Sequence, residues 1–162
     1  MRPGRVPMNI KILWPGKIRT PAIRDLEAHY LKRIRSLAPC EIVATAEARG
    51  LEERFGEKIM EIEARGLEKH FKDDYIVCLF DEGREMSSKE FARFFERRAA
   101  GAQRTITFVV GGYLGLARRI LERADVLLSL SQMTFSHELC RIILMEQIYR
   151  SMSIMKGRSY AK

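Results

Sequence analysis

Short, mostly apolar runs recur along the chain, and each has the length of a buried strand. The runs lie at residues 9–14, 41–46, 75–80, 105–110 and 126–129. Runs of four to eight residues bounded by turn signals are typical of a parallel sheet whose two faces are both covered. After the third run, the polar residues 81–84 (DEGR) predict a turn that ends the strand.

Helical patterns separate these runs. After Pro21, apolar residues three or four positions apart predict a helix whose other faces are basic. Ser87 and Glu90 have the spacing of a capping box and predict a second helix start. Further helical segments are predicted over residues 51–70, where Gly56 and Gly66 interrupt the pattern, and over residues 116–124 and 136–155. Strands alternating with helices predict an α/β fold with a parallel sheet flanked by helices.

Length and composition fit a single domain spanning residues 1–162. A chain of 162 residues with 46% hydrophobic content can bury one core but is short for two. No apolar run approaches the roughly 18 residues that a membrane span needs, and the N-terminus lacks the apolar core of a secretory signal. We therefore expect a cytoplasmic protein with no membrane contact.

Cys40, Cys78 and Cys140 are odd in number, far apart and in apolar contexts. This spacing favours reduced core residues over a disulfide framework or a metal cage. No metal site is predicted.

The net charge of +8 is carried by the two ends of the chain. Residues 1–35 hold nine Lys and Arg against two Asp and Glu, and residues 108–162 hold eight against four, whereas the middle of the chain is slightly acidic. Such asymmetry suggests a polyanionic partner, with nucleic acid favoured, although a mildly basic domain can also be basic for solubility alone.

Glycines follow the fourth predicted strand in the order GGxxG at residues 111–115. In open α/β sheets, ligands bind at the carboxyl end of a strand that is followed by a helix, and glycine lets a ligand approach the backbone closely. A tight turn alone would also explain the glycines. The order does not fit GxGxxG, and no acidic residue follows at the position that would hold a ribose, so a nicotinamide-dependent oxidoreductase is disfavoured.

The loop between the last strand and the last helix, residues 129–137 (SLSQMTFSH), mixes polar and bulky apolar residues. Such a loop is costly to expose and hard to bury unless a ligand fills the pocket that it forms. Thr134 or Ser136 can also cap the helix, and capping does not exclude binding.

This succession of elements and motifs resembles a known family. The GGxxG turn, the SLSxMTFxH loop, and the segments 146–150 (EQIYR) and 157–160 (GRSY) resemble the 23S rRNA pseudouridine N3-methyltransferases of the SPOUT superfamily, the large-subunit methyltransferase H family. The likeness covers the whole domain in length and element order, and its motifs are specific over residues 108–162. Met8 is the family-like start, so residues 1–7 are expected to form a disordered extension.

The resemblance implies a deep C-terminal trefoil knot over about residues 105–155, a homodimer, and S-adenosylmethionine bound in the knot. It also implies a target at N3 of a pseudouridine in helix 69 of 23S rRNA, within the ribosome. Carried over by motif, the cofactor-binding residues are Leu79, Gly111, Leu130, Ser131, Gln132, Met133, Thr134 and Phe135.

The last predicted helix is apolar on nearly every side, which favours burial by a second subunit in addition to the sheet. Glu146 and Arg150 are spaced to pair with each other along it. Methyl transfer to N3 needs a cationic surface that favours the deprotonated base, and a group that accepts the N3 proton. Candidates for that surface are Arg141, Arg150, Lys156, Arg158 and Lys162. The candidate catalytic residues are Arg141, His137, Tyr160 and Lys162, although a histidine near a helix start, such as His137, is more often a structural hydrogen-bonder than a base.

The tail departs from the family pattern. Family members usually end in Tyr-His-Lys or Tyr-His-Arg, whereas this chain ends Tyr160-Ala161-Lys162, and Ser136 stands where the family usually has proline. We predict that the protein binds S-adenosylmethionine normally but methylates more slowly than a relative with the histidine, so Ala161→His should raise the rate and an unchanged rate would refute this. The alternative function is a knotted RNA-binding or ribosome-assembly factor that has weak or lost activity.

Overall fold

A computed structural model describes residues 6–160. Within these residues, five strands form one sheet in the order β2-β1-β4-β3-β5, and every neighbouring pair is parallel. The strands are β1 (Asn9–Pro15), β2 (Cys40–Thr45), β3 (Tyr75–Glu85), β4 (Thr105–Val109) and β5 (Val126–Ser129). The helices are α1 (Pro21–Arg35), α2 (Gly56–Glu68), α3 (Ser88–Ala99), α4 (Arg118–Glu122) and α5 (His137–Met155).

The helices cover both faces of the sheet. Apolar side chains of α1, α3 and α5 pack on one face, where Phe91, Phe95 and Phe108 meet in a ring cluster. Side chains of α2 and α4 pack on the other face. The predicted α/β fold, a parallel sheet flanked by helices, is confirmed, and the trefoil knot stays a prediction.

Local sequence determines most of the boundaries. The capping box is confirmed, because Ser87 Oγ accepts from the Glu90 N–H at 3.1 Å and a Glu90 carboxylate oxygen accepts from the Ser87 N–H at 2.7 Å. A short 3₁₀ turn, Glu53–Phe55, precedes α2. Gly56 begins α2 and Gly66 lies inside it, so neither glycine interrupts that helix.

The predicted turn at residues 81–84 is wrong. Strand β3 continues to Glu85, and both Leu79 and Arg84 lie opposite Leu128 of β5, so the residues between them bulge out of the ladder. The bulged segment lies close to β5: a Cβ on Gly83 would come within 2.7 Å of the Leu127 carbonyl carbon and oxygen. Glycine here permits a close backbone contact between two strands rather than a turn that ends one.

Helix α5 lies between α1 and α3, and it packs against both. Its central apolar side chains are buried by this one chain, which corrects the inference that only a second subunit could cover them. Leu139 and Ile154 remain 41% and 38% exposed. The homodimer therefore stays a prediction. The predicted pair on α5 is present, with an Arg150 nitrogen 2.6 Å from a Glu146 carboxylate oxygen.

Packing reaches further toward the N-terminus than the predicted extension allows. Val6 is buried, and its N–H donates to the Leu37 carbonyl at 2.8 Å, so the predicted disorder does not hold for Val6. Residues 1–5 lie outside the described part of the chain.

Cys40 and Cys78 are buried free thiols, as predicted, and burial raises the pKa of each to about 12. Cys140 is also free but only partly buried. No helix within residues 6–160 is long and apolar enough to cross a membrane.

Candidate functional site

A cavity of about 360 Å³ opens at the carboxyl ends of β3, β4 and β5. Parallel strands bring these three ends to the same edge of the sheet, where α/β proteins bind ligands. The bulge of β3 contributes Phe80 and Asp81 to the wall, and Cys140 of α5 closes another side. Of the predicted cofactor-binding residues, the cavity is lined by Leu79, Gly111, Leu130, Ser131, Met133, Thr134 and Phe135. Gln132 is exposed and does not line it.

The glycine turn after β4 folds back on itself. A Cβ on Gly111 would lie 2.5 Å from the Gly115 carbonyl carbon and 2.8 Å from its Cα, and Gly115 itself has a φ of +86°. Sequence reasoning expected Gly111 to clear space for a ligand. The structure gives a different reason for that glycine: the turn is too tight for any side chain at this position.

The loop after β5 is held by its own serines. Ser129 Oγ donates to the Ser131 carbonyl at 3.1 Å, and Ser131 Oγ accepts from the Met133 N–H at 3.0 Å. Met133 leaves 76% of its surface exposed although it lines the cavity. Ser136 caps α5 by accepting from the Leu139 N–H at 3.4 Å. The loop therefore has a defined backbone and an exposed apolar side chain at the mouth of the cavity.

A second, polar cavity of about 750 Å³ adjoins the first, and we call it the polar groove. The two share Gly112, Tyr113 and His137 as wall residues. The charged residues that line the groove are Lys17, Arg19, Glu47, Arg49, Glu63, Glu138 and Arg141. Two adjoining cavities with shared wall residues can hold two reactants next to each other.

Arg141 is almost completely buried beside the groove, with 1% exposure. Its two terminal nitrogens donate to the carbonyls of Pro15 and Gly16 at 2.6 and 3.0 Å, and its guanidinium lies over the Trp14 ring. Its Nε has no hydrogen-bond partner among residues 6–160. Burial lowers the pKa of Arg141 to about 10, so the group still carries its charge at neutral pH.

His137 is the first residue of α5 and lines both cavities. Burial, and then the charge of Arg141, lower the pKa of its imidazole. The ring is therefore neutral at pH 7 and has a nitrogen free to accept a proton. The neighbouring Glu138 accepts from the backbone N–H groups of Arg19 and Thr20, which fixes the start of α5 against the segment before α1.

Glu63 is a groove residue that sequence reasoning missed. It is 6% exposed, and a Cβ on Gly112 would lie 3.0 Å from one of its carboxylate oxygens. Burial, together with the like charge of Glu47, raises the pKa of its carboxyl group, and the hydrogen bond from the Ala48 N–H and the charge of Arg141 offset only part of this. One sequence signal could have found it: Glu63 lies four residues from both Ile59 and Leu67, on the buried face of α2.

Within its own chain, Tyr160 does not line the groove that holds His137 and Arg141. Its ring meets Tyr149 and Arg150 near the far end of α5, with ring centroids 4.6 Å apart in the first contact. Arg150 is thirteen residues after His137 on one helix, a separation of roughly 20 Å at 1.5 Å per residue. Arg141 and His137 therefore share one groove, whereas Tyr160 does not join them. Lys162 and Ala161 lie outside the described residues.

Among residues 6–160, no group of three or more His, Cys, Asp or Glu side chains is placed to hold a metal ion.

The family model and the relatives with known names indicate the same family. A family model described as "Predicted SPOUT methyltransferase" matches residues 8–161. The chain is 38% identical over 161 residues to the ribosomal RNA large subunit methyltransferase H of Nitratidesulfovibrio vulgaris (strain DP4), covering 93% of this chain and 96% of that protein. It is 37% identical over 166 residues to the protein of the same name from Carboxydothermus hydrogenoformans, covering 96% and 100%.

Solved structures share the fold at low identity. A probable methylase family protein from Haemophilus influenzae Rd KW20 matches with a TM-score of 0.55 at 14% identity, covering 96% of this chain and 71% of that one. A probable methyltransferase from Bordetella pertussis Tohama I matches with a TM-score of 0.56 at 10% identity, covering 88% and 93%.

Proposed function

Since the chain belongs to the SPOUT methyltransferase family, we propose that it is an S-adenosylmethionine-dependent rRNA methyltransferase acting on N3 of a pseudouridine in helix 69 of 23S rRNA. The observation that supports this most is the pair of adjoining cavities, one largely apolar and one charged, which share His137. The substrate is the rRNA within the ribosome, and the reaction takes place in the cytoplasm.

The residues around the apolar cavity fit S-adenosylmethionine. A cavity of about 360 Å³ is within the usual range for ligand pockets. Leu79 and Leu130 offer an apolar surface to the adenine, and the backbone of loop 130–135 offers hydrogen-bonding groups to the polar edge of the base. Bound there, the cofactor would supply an electrophilic methyl group on a sulfonium.

Methyl transfer requires the protein mainly to position its two substrates. Transfer would form a bond between N3 and the methyl carbon while the carbon–sulfur bond breaks, so the protein must hold N3 opposite the departing sulfur. The N3 proton must leave before or during transfer. His137 is neutral at pH 7 and lines both cavities, so it is the group that we assign to accept this proton. The nearby charge of Arg141 favours the anionic base.

We further propose that the enzyme acts as a homodimer in which one copy supplies its tail to the site of the other. Within one chain, Tyr160 packs against Arg150, which lies roughly 20 Å along α5 from His137, so we assign the tail of one copy to the groove of the other. Leu139 and Ile154 offer exposed apolar surface on α5 for the contact between copies.

Labelled methyl transfer tests this function. Intact ribosomes, free 23S rRNA and ribosomes that lack the pseudouridine are each incubated with the protein and labelled S-adenosylmethionine. We expect label on intact ribosomes and none on free 23S rRNA, located at N3 of the target base by mass spectrometry of the digested rRNA, with weaker label on ribosomes that lack the pseudouridine. Label on free rRNA alone, or at another atom of the base, would contradict the proposal.

Ala161 supports one other function, an RNA-binding or ribosome-assembly factor without turnover, because the family usually has histidine there. Such a factor would bind ribosomes and S-adenosylmethionine and transfer no label. The same experiment, combined with calorimetry of cofactor binding and sedimentation with ribosomes, therefore separates the two functions.

A further inference from the structure

The buried carboxylate of Glu63 faces the polar groove from the side of α2. Gly112, which lines both cavities, lies directly against it. Glu63 is therefore beside the junction of the two cavities, where the reacting base would lie if the base occupies the groove and the cofactor occupies the apolar cavity.

Within residues 6–160, the hydrogen bonding of this carboxylate is sparse. Its only hydrogen bond there is from the Ala48 N–H, at the long distance of 3.4 Å, and none of the ion pairs there includes it. A buried carboxylate can accept several hydrogen bonds and is costly to bury without them. The packing of α2 would be better served by an apolar residue at this position, between Ile59 and Leu67. Glu63 thus has acceptor capacity that the fold does not use.

Arg141 lines the same groove and has an unused hydrogen-bond donor and a positive charge. Its Nε–H is buried without a partner, although the guanidinium is fixed by Pro15 and Gly16. The groove is therefore lined by a hydrogen-bond acceptor, Glu63, and a cation, Arg141. This combination complements a ring that bears both an N–H and carbonyl oxygens.

Pseudouridine has such a ring, and it differs from uridine at one edge. Because its ribose is attached through carbon, its N1 carries a hydrogen, where uridine offers only a C–H at the equivalent place; both bases have the same N3 between two carbonyls. We propose that Glu63 is a specificity-determining residue that selects pseudouridine over uridine by accepting the N1–H. This inference rests on the proposed function and adds the group that recognises the substrate.

The expected discrimination follows from the hydrogen bond. A bond to a charged group contributes enough to change a rate by roughly 10- to 100-fold, and uridine would leave the buried carboxylate without its partner. The base N3 is unaffected, so the loss of Glu63 should change the choice of substrate more than the chemistry.

The experiment compares kcat/KM on ribosomes that contain the target pseudouridine with that on ribosomes carrying uridine there, made in cells without the pseudouridine synthase. Four full-length proteins are compared: wild type, Glu63→Met, Glu63→Gln and Glu57→Met. Methionine matches the length of glutamate without its oxygens, and glutamine keeps a neutral acceptor. Glu57 is exposed on the same helix and provides the matched control.

We expect wild type and Glu57→Met to prefer pseudouridine by roughly 10- to 100-fold, Glu63→Met to lose that preference, and Glu63→Gln to be intermediate. S-adenosylmethionine binding should be equal in all four. A merely structural role would lower the rates on both substrates alike and keep their ratio.

An active wild type without preference for pseudouridine would overturn this inference alone, and so would a Glu63→Met or Glu63→Gln variant that keeps the wild-type ratio. If wild type transfers no methyl group to either ribosome, the proposed function itself fails. The two failures are therefore distinguishable, and the substrate comparison on wild type holds even if one variant does not fold.

Discussion

Two residues of opposite charge, Glu63 and Arg141, are buried at one groove without forming an ion pair with each other. Each is costly to the fold, since a buried charge loses its hydration. Arg141 offsets this cost with two backbone carbonyls and the Trp14 ring, and it anchors α5 to the end of β1. Glu63 makes far fewer compensating contacts, so its burial should measurably lower the free energy of unfolding.

Replacing Glu63 with glutamine should stabilise the protein at pH 7. Because the folded-state pKa of Glu63 is raised above its ordinary 4.5, the folded protein holds the proton more tightly than the unfolded chain. Wild type therefore loses stability as pH rises from about 4.5 through the folded pKa, whereas Glu63→Gln does not. The variant should have the higher melting temperature at pH 7, by about 2–4 °C for each kcal/mol gained.

This gain should disappear at about pH 4, where Glu63 is protonated in both states. Thermal unfolding followed by circular dichroism at the two pH values measures it, with Glu57→Gln as the exposed control on the same helix. A Glu63→Gln protein less stable than wild type at pH 7 would mean that the fold itself needs the carboxylate.

The sequence indicated some of these residues and not others. His137 and Arg141 could be singled out because they follow a recognisable loop. The partners of Arg141, Pro15 and Gly16, are more than 120 positions away in the chain, and no local pattern reports such a contact. Glu63 was hidden for a different reason: its helix is so heavily charged that one acidic residue on the buried face was not distinguished from the rest.

At the scale of elements, the turn between β4 and α4 determines the shape of the apolar cavity. Gly111 and Gly115 approach within van der Waals contact, so that Val110 to Leu116 can wrap the cavity wall. Gly111→Ala would place a Cβ 2.5 Å from a backbone carbon, and the turn must shift to accommodate it. We expect S-adenosylmethionine affinity to fall at least roughly tenfold, as measured by calorimetry.

Gly66→Ala is the matched glycine control. A Cβ there would lie 3.5 Å from the Thr45 Cβ, an ordinary contact, in the interior of α2. This variant should bind the cofactor as wild type does and gain about 0.5–1 kcal/mol of stability. Wild-type affinity in Gly111→Ala would show that the turn is not part of the cofactor site.

The elements themselves were largely predictable, because each depends on a local signal. Strand β5 matches its predicted range, and α3 starts at its capping box. The bulge of β3 was not predictable, since DEGR has turn composition and only the contact between Gly83 and β5 shows that the segment stays in the sheet. That bulge brings Phe80 and Asp81 into the cavity, so the missed element is also one that shapes the site.

At the scale of the whole molecule, the two ends of α5 lie beside different parts of the proposed site. The N-terminal end of this helix faces the two cavities, and its C-terminal end holds Tyr160 between Arg33 and Arg150. In the composite site that we propose, the two ends come from different copies. In a two-fold dimer, each copy would then supply one groove and one tail, and both sites would be equivalent.

Mixing two impaired variants tests this division. Gly111→Ala impairs the cofactor cavity but keeps the tail, and a chain lacking residues 158–162 keeps the cavity but lacks the tail. If the tail acts across the dimer, a mixed dimer contains one site with an intact cavity and an intact tail, whereas its other site lacks both. Random exchange makes half of the dimers mixed, so the mixture should recover roughly a quarter of wild-type methyl transfer to ribosomes.

At an S-adenosylmethionine concentration below the wild-type dissociation constant, Gly111→Ala alone should show at most roughly a tenth of the wild-type rate, because its affinity is at least roughly tenfold lower. The chain without its tail should stay near background, and light scattering should show dimers throughout. If the tail acts within its own chain, no mixed dimer has a complete site and the mixture shows no more activity than the Gly111→Ala variant alone. A monomeric wild type would contradict the arrangement at once, because one chain would then have to supply both His137 and the tail beside Arg150, which lie roughly 20 Å apart along α5.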